Sequence, residues 1–189
     1  MLDFYEVIKR RCSIHKFKSD MIPEETLIRI LHAGTLAPNP RNTQPWEFIV
    51  VTDNDIKKRV ADIKVSKTVQ YFESIGTEAA MRRVKAGFAD QQEAILSAPV
   101  VLVVCYKKDD DLHNYAGTWA CIENIVLAAY AEGLGAITMA PRGEEEIKKV
   151  LNIPPDYGIA SIVPIGFPDE KASFKPRIPV KDKIHMNKW

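Results

Sequence analysis

Three clusters of polar and charged side chains lie far apart along the chain, and each has residue types suited to binding. The first is the segment from Arg10 to Phe17, RRCSIHKF. Arginine offers a planar fork of donors and serine a hydroxyl donor, and both suit phosphate oxygens. A basic patch at the end of a surface helix is also commonly just solvated. This cluster alone is therefore compatible with either an anion site or a hydrated surface.

The second cluster is the segment from Ala37 to Trp46, APNPRNTQPW. Its Asn and Gln side chains place donors beside acceptors, which suits the polar edge of a heteroaromatic ring. Prolines hold such a loop in one shape and so lower the ordering cost of binding. A Pro/Asn-rich turn with capping amides is the competing interpretation. In the third cluster, Lys175-Pro176-Arg177, two cations at alternate positions point the same way and favour an anion site, against the alternative of a solvated tail.

Several kinds of site are excluded by missing motifs. The chain has no GxGxxG or P-loop, and Gly133-Leu134-Gly135 lacks the third glycine of a dinucleotide fingerprint. The four histidines form no HExxH pair, so we expect no metal site. There is no GxSxG nucleophile elbow. The acidic run from Asp109 to Asp111 is typical of a solvated turn.

Net charge, the length of apolar runs and the number of cysteines restrict the partners and the location that we expect. A formal net charge of +1 in 189 residues argues against nucleic-acid binding. The longest apolar run, Ala98 to Tyr106, has nine residues, whereas a membrane span needs about 20. The three cysteines are odd in number and widely spaced, so they form neither a disulfide framework nor a CxxC pair. No signal-peptide pattern opens the chain, and we expect a cytoplasmic protein.

Hydrophobic periodicity predicts an α+β fold in one domain, residues 1–189. We expect a three-layer sandwich with a mixed central sheet of about four to five strands flanked by helices. The rigid, basic segment 167–189 is predicted to dock on a partner subunit. The predicted helices cover residues 3–10, 23–33, 115–132 and 144–151. Gly34 is predicted to cap the second of these at its C-terminus, and another helix is predicted to start at Asp53. The predicted strands cover residues 46–52, 100–106, 136–140 and 159–166, the last on a sheet edge near Pro164. Residues 65–94 are predicted to be helical, with a mobile connection near Gly76.

Taken in order, these features resemble one known family. An RRxS-like start, an APxxxNxQPW loop, a GLGA turn after a long helix and a KxR segment before Trp189 are together typical of FMN-dependent nitroreductases. The likeness covers essentially the whole chain, and NxQPW is its most specific element. It implies a nitroreductase-like fold, an FMN cofactor, NADH or NADPH as reductant, and a homodimer with FMN at the subunit interface.

The resemblance also implies roles for individual residues. Arg11, Ser13 and the backbone of Cys12 match residues that grip the FMN phosphate and ribityl end, and Lys175 and Arg177 match C-terminal cations on the same phosphate. The loop positions that match contacts to the isoalloxazine ring, usually offered by the other subunit, are Asn39, Pro40, Asn42 and Gln44. The positions that match the turn beside flavin N5 are Met139, Ala140 and Pro141.

Two positions depart from the family pattern. Cys12 stands where arginine or histidine is common, and His15 where arginine or lysine is usual, so Arg11, Lys175 and Arg177 are expected to carry most of the phosphate charge. A histidine is mostly neutral near pH 7 unless a phosphate raises its pKa. The family's mid-chain flavin contact is expected within residues 89–93, and acceptor choice within residues 65–87.

The implied activity is ping-pong NAD(P)H oxidoreduction, in which the reductant and then a small-molecule acceptor occupy the same flavin face. The acceptors implied are nitroaromatics, quinones or free flavins. Because flavin carries the chemistry, we expect no catalytic side chain. Three alternatives remain open: a flavoenzyme of the same fold catalysing dehalogenation or flavin breakdown, a non-catalytic flavin carrier, and a structural interaction domain.

Overall fold

The computed structural model of the chain describes residues 3–171 and 174–189. Its helices are α1 (Phe4–Arg10), α2 (Glu24–Thr35), α3 (Asn54–Ile75), α4 (Glu78–Ala86), α5 (Ala89–Ser97), α6 (Asp111–Ala131) and α7 (Glu144–Leu151). Its strands are β1 (Trp46–Val51), β2 (Val100–Lys107), β3 (Gly135–Ala136) and β4 (Tyr157–Gly166). Short 3-10 turns lie at Pro40–Asn42, Lys108–Asp110 and Val180–Lys183. No helix in these described ranges has the length and apolar character to cross a membrane.

The sheet has the strand order β1-β2-β4-β3. Its central strands β2 and β4 are buried on both faces, which accounts for their continuous apolar sequence. All three strand pairings are antiparallel. The predicted mixed sheet is thus corrected to an antiparallel one. Its parallel element is the isolated bridge between Ser13 and Ala136.

Helices cover both faces of the sheet and confirm the predicted α+β sandwich. Leu102 and Val104 point toward the core formed with α2 and α6. Val101 and Val103, at alternate positions, point toward the core that includes residues of α3, α5 and α7. The sheet therefore separates two apolar cores in three layers.

One prediction about a glycine and one about a proline were wrong, each for a reason that the packing shows. Gly34 does not cap α2 but lies inside it, where an added Cβ would stand 2.6 Å from Ile125 Cγ1 of α6. The glycine is needed for close helix packing. Pro164 lies in an interior strand rather than at an edge. Its carbonyl accepts the N–H of Ile137 at 3.3 Å, so its missing N–H faces the side on which β3 has already ended at Ala136.

The middle of the chain is more regular than its sequence indicates. Asp53 caps α3 by accepting the N–H of Ile56 at 2.8 Å, and the helix ends at Gly76 with φ 66°. Thr77 then caps α4 through the N–H of Ala80 at 3.2 Å. Residues 65–94 lie mostly in helix, as predicted, and the helix is interrupted at residues 76–77 and 87–88 between α3, α4 and α5.

Candidate functional site

The two ends of the chain run side by side. Lys18 N–H donates to the carbonyl of Phe167, and Asp169 N–H donates to the carbonyl of Lys16, both at 2.9 Å. Phe17 forms an antiparallel bridge with Pro168. These bonds fix the start of the C-terminal tail against the segment that follows α1.

The segment after α1 also lies tightly on the sheet. Ile14 N–H donates to the carbonyl of Ala136 at 3.2 Å. A Cβ on Gly135 would stand 2.6 Å from Ile14 Cγ1, so only glycine permits this approach. Ile14 is buried, and the alternation of an extended segment turns Ser13 and His15 to the opposite side. The GLGA turn therefore acts by letting the polar segment pack against β3.

A cleft of about 470 Å³ opens where these segments meet. Six of the predicted phosphate-binding residues line it, from both ends of the chain. They are Arg11, Cys12, Ser13, His15, Lys175 and Arg177. Lys9, Lys171, Ile8, Phe174 and Glu170 complete the lining. Five lysine and arginine side chains thus face a cleft with one acid among its lining residues, and the arrangement favours an anion.

Glu170 is that acid, and sequence reasoning missed it. Its Oε1 accepts the backbone N–H of His15 at 2.5 Å and lies 3.8 Å from the ring Nδ1 of His15. Its side chain is 33% exposed. A carboxylate oxygen therefore already occupies one N–H donor inside the cationic cleft. The signal for it is the pairing of the chain ends, which residue types alone do not reveal.

The amide-bearing loop, residues 37–46, has a strained backbone that internal hydrogen bonds hold in place. Arg41, Asn42 and Gln44 have left-handed φ values of 53°, 54° and 47°. Such a conformation costs about 1–2 kcal/mol for most residues and concentrates at binding loops. Asn39 braces the loop, since its Oδ1 accepts the N–H of Gln44 at 2.8 Å and its Nδ2 donates to the carbonyl of Ala37 at 3.2 Å.

The predicted ring-binding set therefore divides into two groups. The Asn39 amide is used within the loop, and Pro40 begins its 3-10 turn. Asn42 and Gln44 have exposed side chains, and Gln44 borders a polar cleft of about 500 Å³. Of the four predicted ring contacts, Asn42 and Gln44 are the two whose side chains are exposed to a ligand.

Within one chain the loop and the cationic cleft do not meet. The loop precedes Trp46, which pairs with Tyr106 of β2, and Tyr106 in turn pairs with Gly158 of β4. The cleft adjoins Ala136, which pairs with Ile165 near the other end of β4. Seven residues of strand separate the two levels, roughly 24 Å. A site that used both groups within one chain would have to span this distance.

The turn from Met139 to Pro141 lies between these two levels. Met139 pairs with Ile162, donating its N–H to the carbonyl at 2.9 Å and accepting in return at 3.1 Å. Its N–H also lies 3.2 Å from Ser161 Oγ, so the backbone of Met139 is occupied by β4. Ala140, next along, is exposed. The turn is three residues beyond Ala136, about 10 Å along the sheet from the Ser13 bridge.

Two further cations near this turn, Lys64 and Arg142, were not predicted as site residues. Lys64 of α3 is 2% exposed, and its Nζ donates to Gln91 Oε1 at 2.5 Å. Gln91 falls in the range 89–93 in which a ring contact was expected. Burial and the charge of Arg142 lower the pKa of Lys64 to about 8, whereas Asp90 raises it. The weak periodicity of α3 conceals this buried lysine.

Two of the three cysteines are buried and unreactive. Cys12 lines the cleft, and all three cysteines are free. Burial raises the pKa of Cys105 and of Cys121 to about 12. Both remain neutral thiols near pH 7 and are poor nucleophiles.

Comparison with known proteins gives consistent matches over most of the chain. An iodotyrosine deiodinase of Thermotoga neapolitana is 26% identical over 180 residues, 95% of each chain. A Methanothermobacter thermautotrophicus protein, provisionally named NADH dehydrogenase/NAD(P)H nitroreductase, is 28% identical over 197 residues, covering 100% of this chain and 88% of that protein. A crystal structure of oxidized iodotyrosine deiodinase bound to FMN and 3-iodo-L-tyrosine superposes with a TM-score of 0.88 at 25% identity, over 99% of this chain and 100% of the other.

The sequence model of the nitroreductase family matches residues 8–167. This range holds the cleft-lining segment after α1, the amide-bearing loop and all four strands. It stops before the tail cations, whose place in the cleft is seen only in the structure. The chain belongs to the nitroreductase family.

Proposed function

We propose that this protein is an FMN-dependent NAD(P)H oxidoreductase of the nitroreductase type. The observation that carries the proposal is the cleft in which Arg11 meets Lys175 and Arg177, residues more than 160 positions apart in sequence. Cations drawn from both ends of a chain to one point have little reason to converge except to bind an anion. The solved iodotyrosine deiodinase supports FMN as that anion's source, since it holds FMN on the same fold.

The residues of the cleft fit a flavin phosphate. Arg11, Lys175 and Arg177 supply charge-assisted donors, and Ser13 supplies a hydroxyl. The turn at Met139–Pro141 lies about 10 Å farther along the sheet, a spacing that suits a ring joined to the phosphate by a ribityl chain. Ala140 N–H has no acceptor within the described part of the chain and is available to a ring atom.

FMN would supply two-electron transfer between NAD(P)H and an acceptor in turn. With a nitroaromatic, NAD(P)H and a proton reduce R–NO₂ to R–NO, giving NAD(P)⁺ and water. The protein's own part is to bind the phosphate, orient the ring and shield it from water. We therefore assign no catalytic side chain.

We further propose that the working form is a homodimer with two flavins. Support comes from the separation of roughly 24 Å between the loop and the cleft within one chain. Asn42 and Gln44 of a second copy would complete the ring site. The tail also exposes large apolar side chains, which a partner subunit would cover. They are Phe174, Ile178, Val180, Ile184, Met186 and Trp189.

Deleting residues 179–189 is expected to weaken this dimer while leaving Lys175 and Arg177 in place. The deletion removes four of the exposed apolar side chains, at 180, 184, 186 and 189. Sedimentation velocity over a concentration series should show the shortened chain dissociating at higher concentration than the full chain. Lys181→Ala, which changes one exposed cation of the same segment, is the matched control. A shortened chain that dimerises as tightly as the full chain contradicts a docking tail.

The function itself is tested by the visible spectrum. Protein reconstituted with FMN and freed of excess FMN should retain the visible absorption band of oxidised flavin, and anaerobic NADH or NADPH should bleach that band. Addition of a nitroaromatic should restore the band. A retained band that neither nucleotide bleaches identifies a flavin carrier instead. A colourless protein after reconstitution rejects a flavin function altogether.

Reductive dehalogenation is the second candidate function. It is favoured by matches to iodotyrosine deiodinases, including a relative and a solved structure that each align over at least 95% of both chains. There the balance is Ar–I plus NAD(P)H giving Ar–H, iodide and NAD(P)⁺. Reoxidation of the reduced protein by an iodophenol, with iodide release but without reaction with nitroaromatics, favours this candidate. We also propose a cytoplasmic location, which the three free thiols support because free thiols are typical of a reducing compartment.

A further inference from the structure

Arg142 occupies a turn that is held rigidly against α3. Its N–H donates to the carbonyl of Ala140 at 2.9 Å, which closes the turn. Gly143 follows with φ 82°, and a Cβ there would stand 2.5 Å from Ile63 Cγ2. Lys67 of α3 pairs with Glu146 of α7 at 2.6 Å beside this contact. The backbone of Arg142 is thereby fixed directly after the turn that the proposed function places against the flavin ring.

The side chain of Arg142 is fixed as well. Its guanidinium carbon lies 3.5 Å from the centre of the Tyr71 ring, a stacked cation–π contact. It forms no ion pair with an acid in residues 3–171 or 174–189. A guanidinium stacked on an aromatic face keeps its N–H donors free around the edge, where they bind a carboxylate in two-point fashion.

A second cation stands close by. Lys64 is buried and directs its Nζ to Gln91 Oε1. Besides burial, the charge of Arg142 helps to lower the pKa of Lys64. Asp90 offsets part of this repulsion by raising the pKa of Lys64, and a bound anion would relieve the remainder.

The neighbouring surface is aromatic. Tyr71 is 40% exposed and meets Phe72 edge to face at 5.4 Å between ring centres. Phe72 stacks on Phe88 at 5.5 Å. Arg83 lies over Phe72 at 5.5 Å. A ligand held here would meet aromatic faces and unpaired guanidinium groups together, a combination suited to a ring that bears an anionic substituent.

We propose that Arg142, stacked on Tyr71, binds the carboxylate of an aromatic electron acceptor, so that the protein prefers anionic aromatic acceptors to neutral ones. This inference rests on the proposed function, because it places the acceptor on the ring side of Met139–Pro141. An anionic group could equally come from the reductant, as the extra phosphate of NADPH. The experiment separates these two sources.

The test compares 4-nitrobenzoate with its neutral methyl ester as acceptors for FMN-loaded protein. In Arg142→Gln, kcat/KM for 4-nitrobenzoate is expected to fall about fivefold, while kcat/KM for the ester changes less than twofold. Arg142→Lys should lie between, since it keeps the charge but loses the planar fork. Arg82→Gln, which alters an arginine of α4 paired with Glu78, is the matched control and should leave both acceptors unchanged.

Each other outcome has a definite meaning. An equal loss with both acceptors overturns the proposal, since Arg142 then only supports the fold. A changed preference between NADPH and NADH with unchanged 4-nitrobenzoate turnover also overturns it and assigns the site to the reductant. The flavin band of the wild-type protein is read first. Its absence rejects the proposed function and this inference with it, whereas an intact band without preference for the charged acceptor rejects this inference alone.

Discussion

Replacing Arg11 by alanine is expected to weaken FMN binding by about 2–3 kcal/mol, or roughly 30- to 150-fold, the scale for losing a charge-assisted hydrogen bond. Arg11 is half-buried, and its N–H is bonded to the carbonyl of Val7 at 2.9 Å at the end of α1. This backbone bond fixes the point from which the Arg11 side chain reaches the cleft. Arg177→Ala should have a smaller effect of about 1.5 kcal/mol, because Arg177 is exposed and its Nη1 already donates to the carbonyl of Lys175 at 3.2 Å.

Quenching of FMN fluorescence during titration with protein measures these affinities. Arg10→Ala is the matched control, since Arg10 is the adjacent arginine but bonds Glu6 at 2.6 Å on the helix and does not line the cleft. Riboflavin, which lacks the phosphate, should bind both variants as it binds the wild-type protein. An Arg11→Ala variant with wild-type FMN affinity, or one that loses riboflavin equally, would refute the phosphate assignment.

The convergence of distant cations could be anticipated from the sequence because residue type and order carry it. Arginine, serine and lysine at these positions have few roles on a surface other than anion binding or hydration. The buried strand β2 is equally legible, since a run such as VVLVVCY cannot face water on either side. The helix α7 was placed correctly by its three leading acids and two trailing lysines, which match the helix dipole.

Features that depend on close approach between segments distant in sequence could not be predicted from local residue patterns. Gly34 has the pattern of a helix cap, but its role is set by Ile125 on another helix. Asn39 has the residue type of a ring contact, but its amide is used to hold the loop. The partnership of Arg142 with Tyr71 requires the turn before α7 to lie on α3, and no local pattern encodes that.

Glu170 belongs to the same hidden class and leads to the second large effect. Its carboxylate lies among five lysine and arginine side chains of the cleft and accepts the N–H of His15. A phosphate that binds these cations experiences repulsion from this carboxylate. Glu170→Gln is therefore expected to tighten FMN binding about tenfold, the scale of a nearby unit charge acting on a near-dianion at a partly exposed site.

The amide oxygen of the glutamine can accept the His15 N–H in place of the carboxylate oxygen, so the pairing of the chain ends should survive. Asp169→Asn is the matched control, since Asp169 is the neighbouring acid but does not line the cleft. The gain should be absent with riboflavin and should shrink as salt rises, because both follow from charge acting on the phosphate. If Glu170→Gln instead weakens FMN and riboflavin alike, the carboxylate serves to position His15, and the anion site owes its strength to the cations alone.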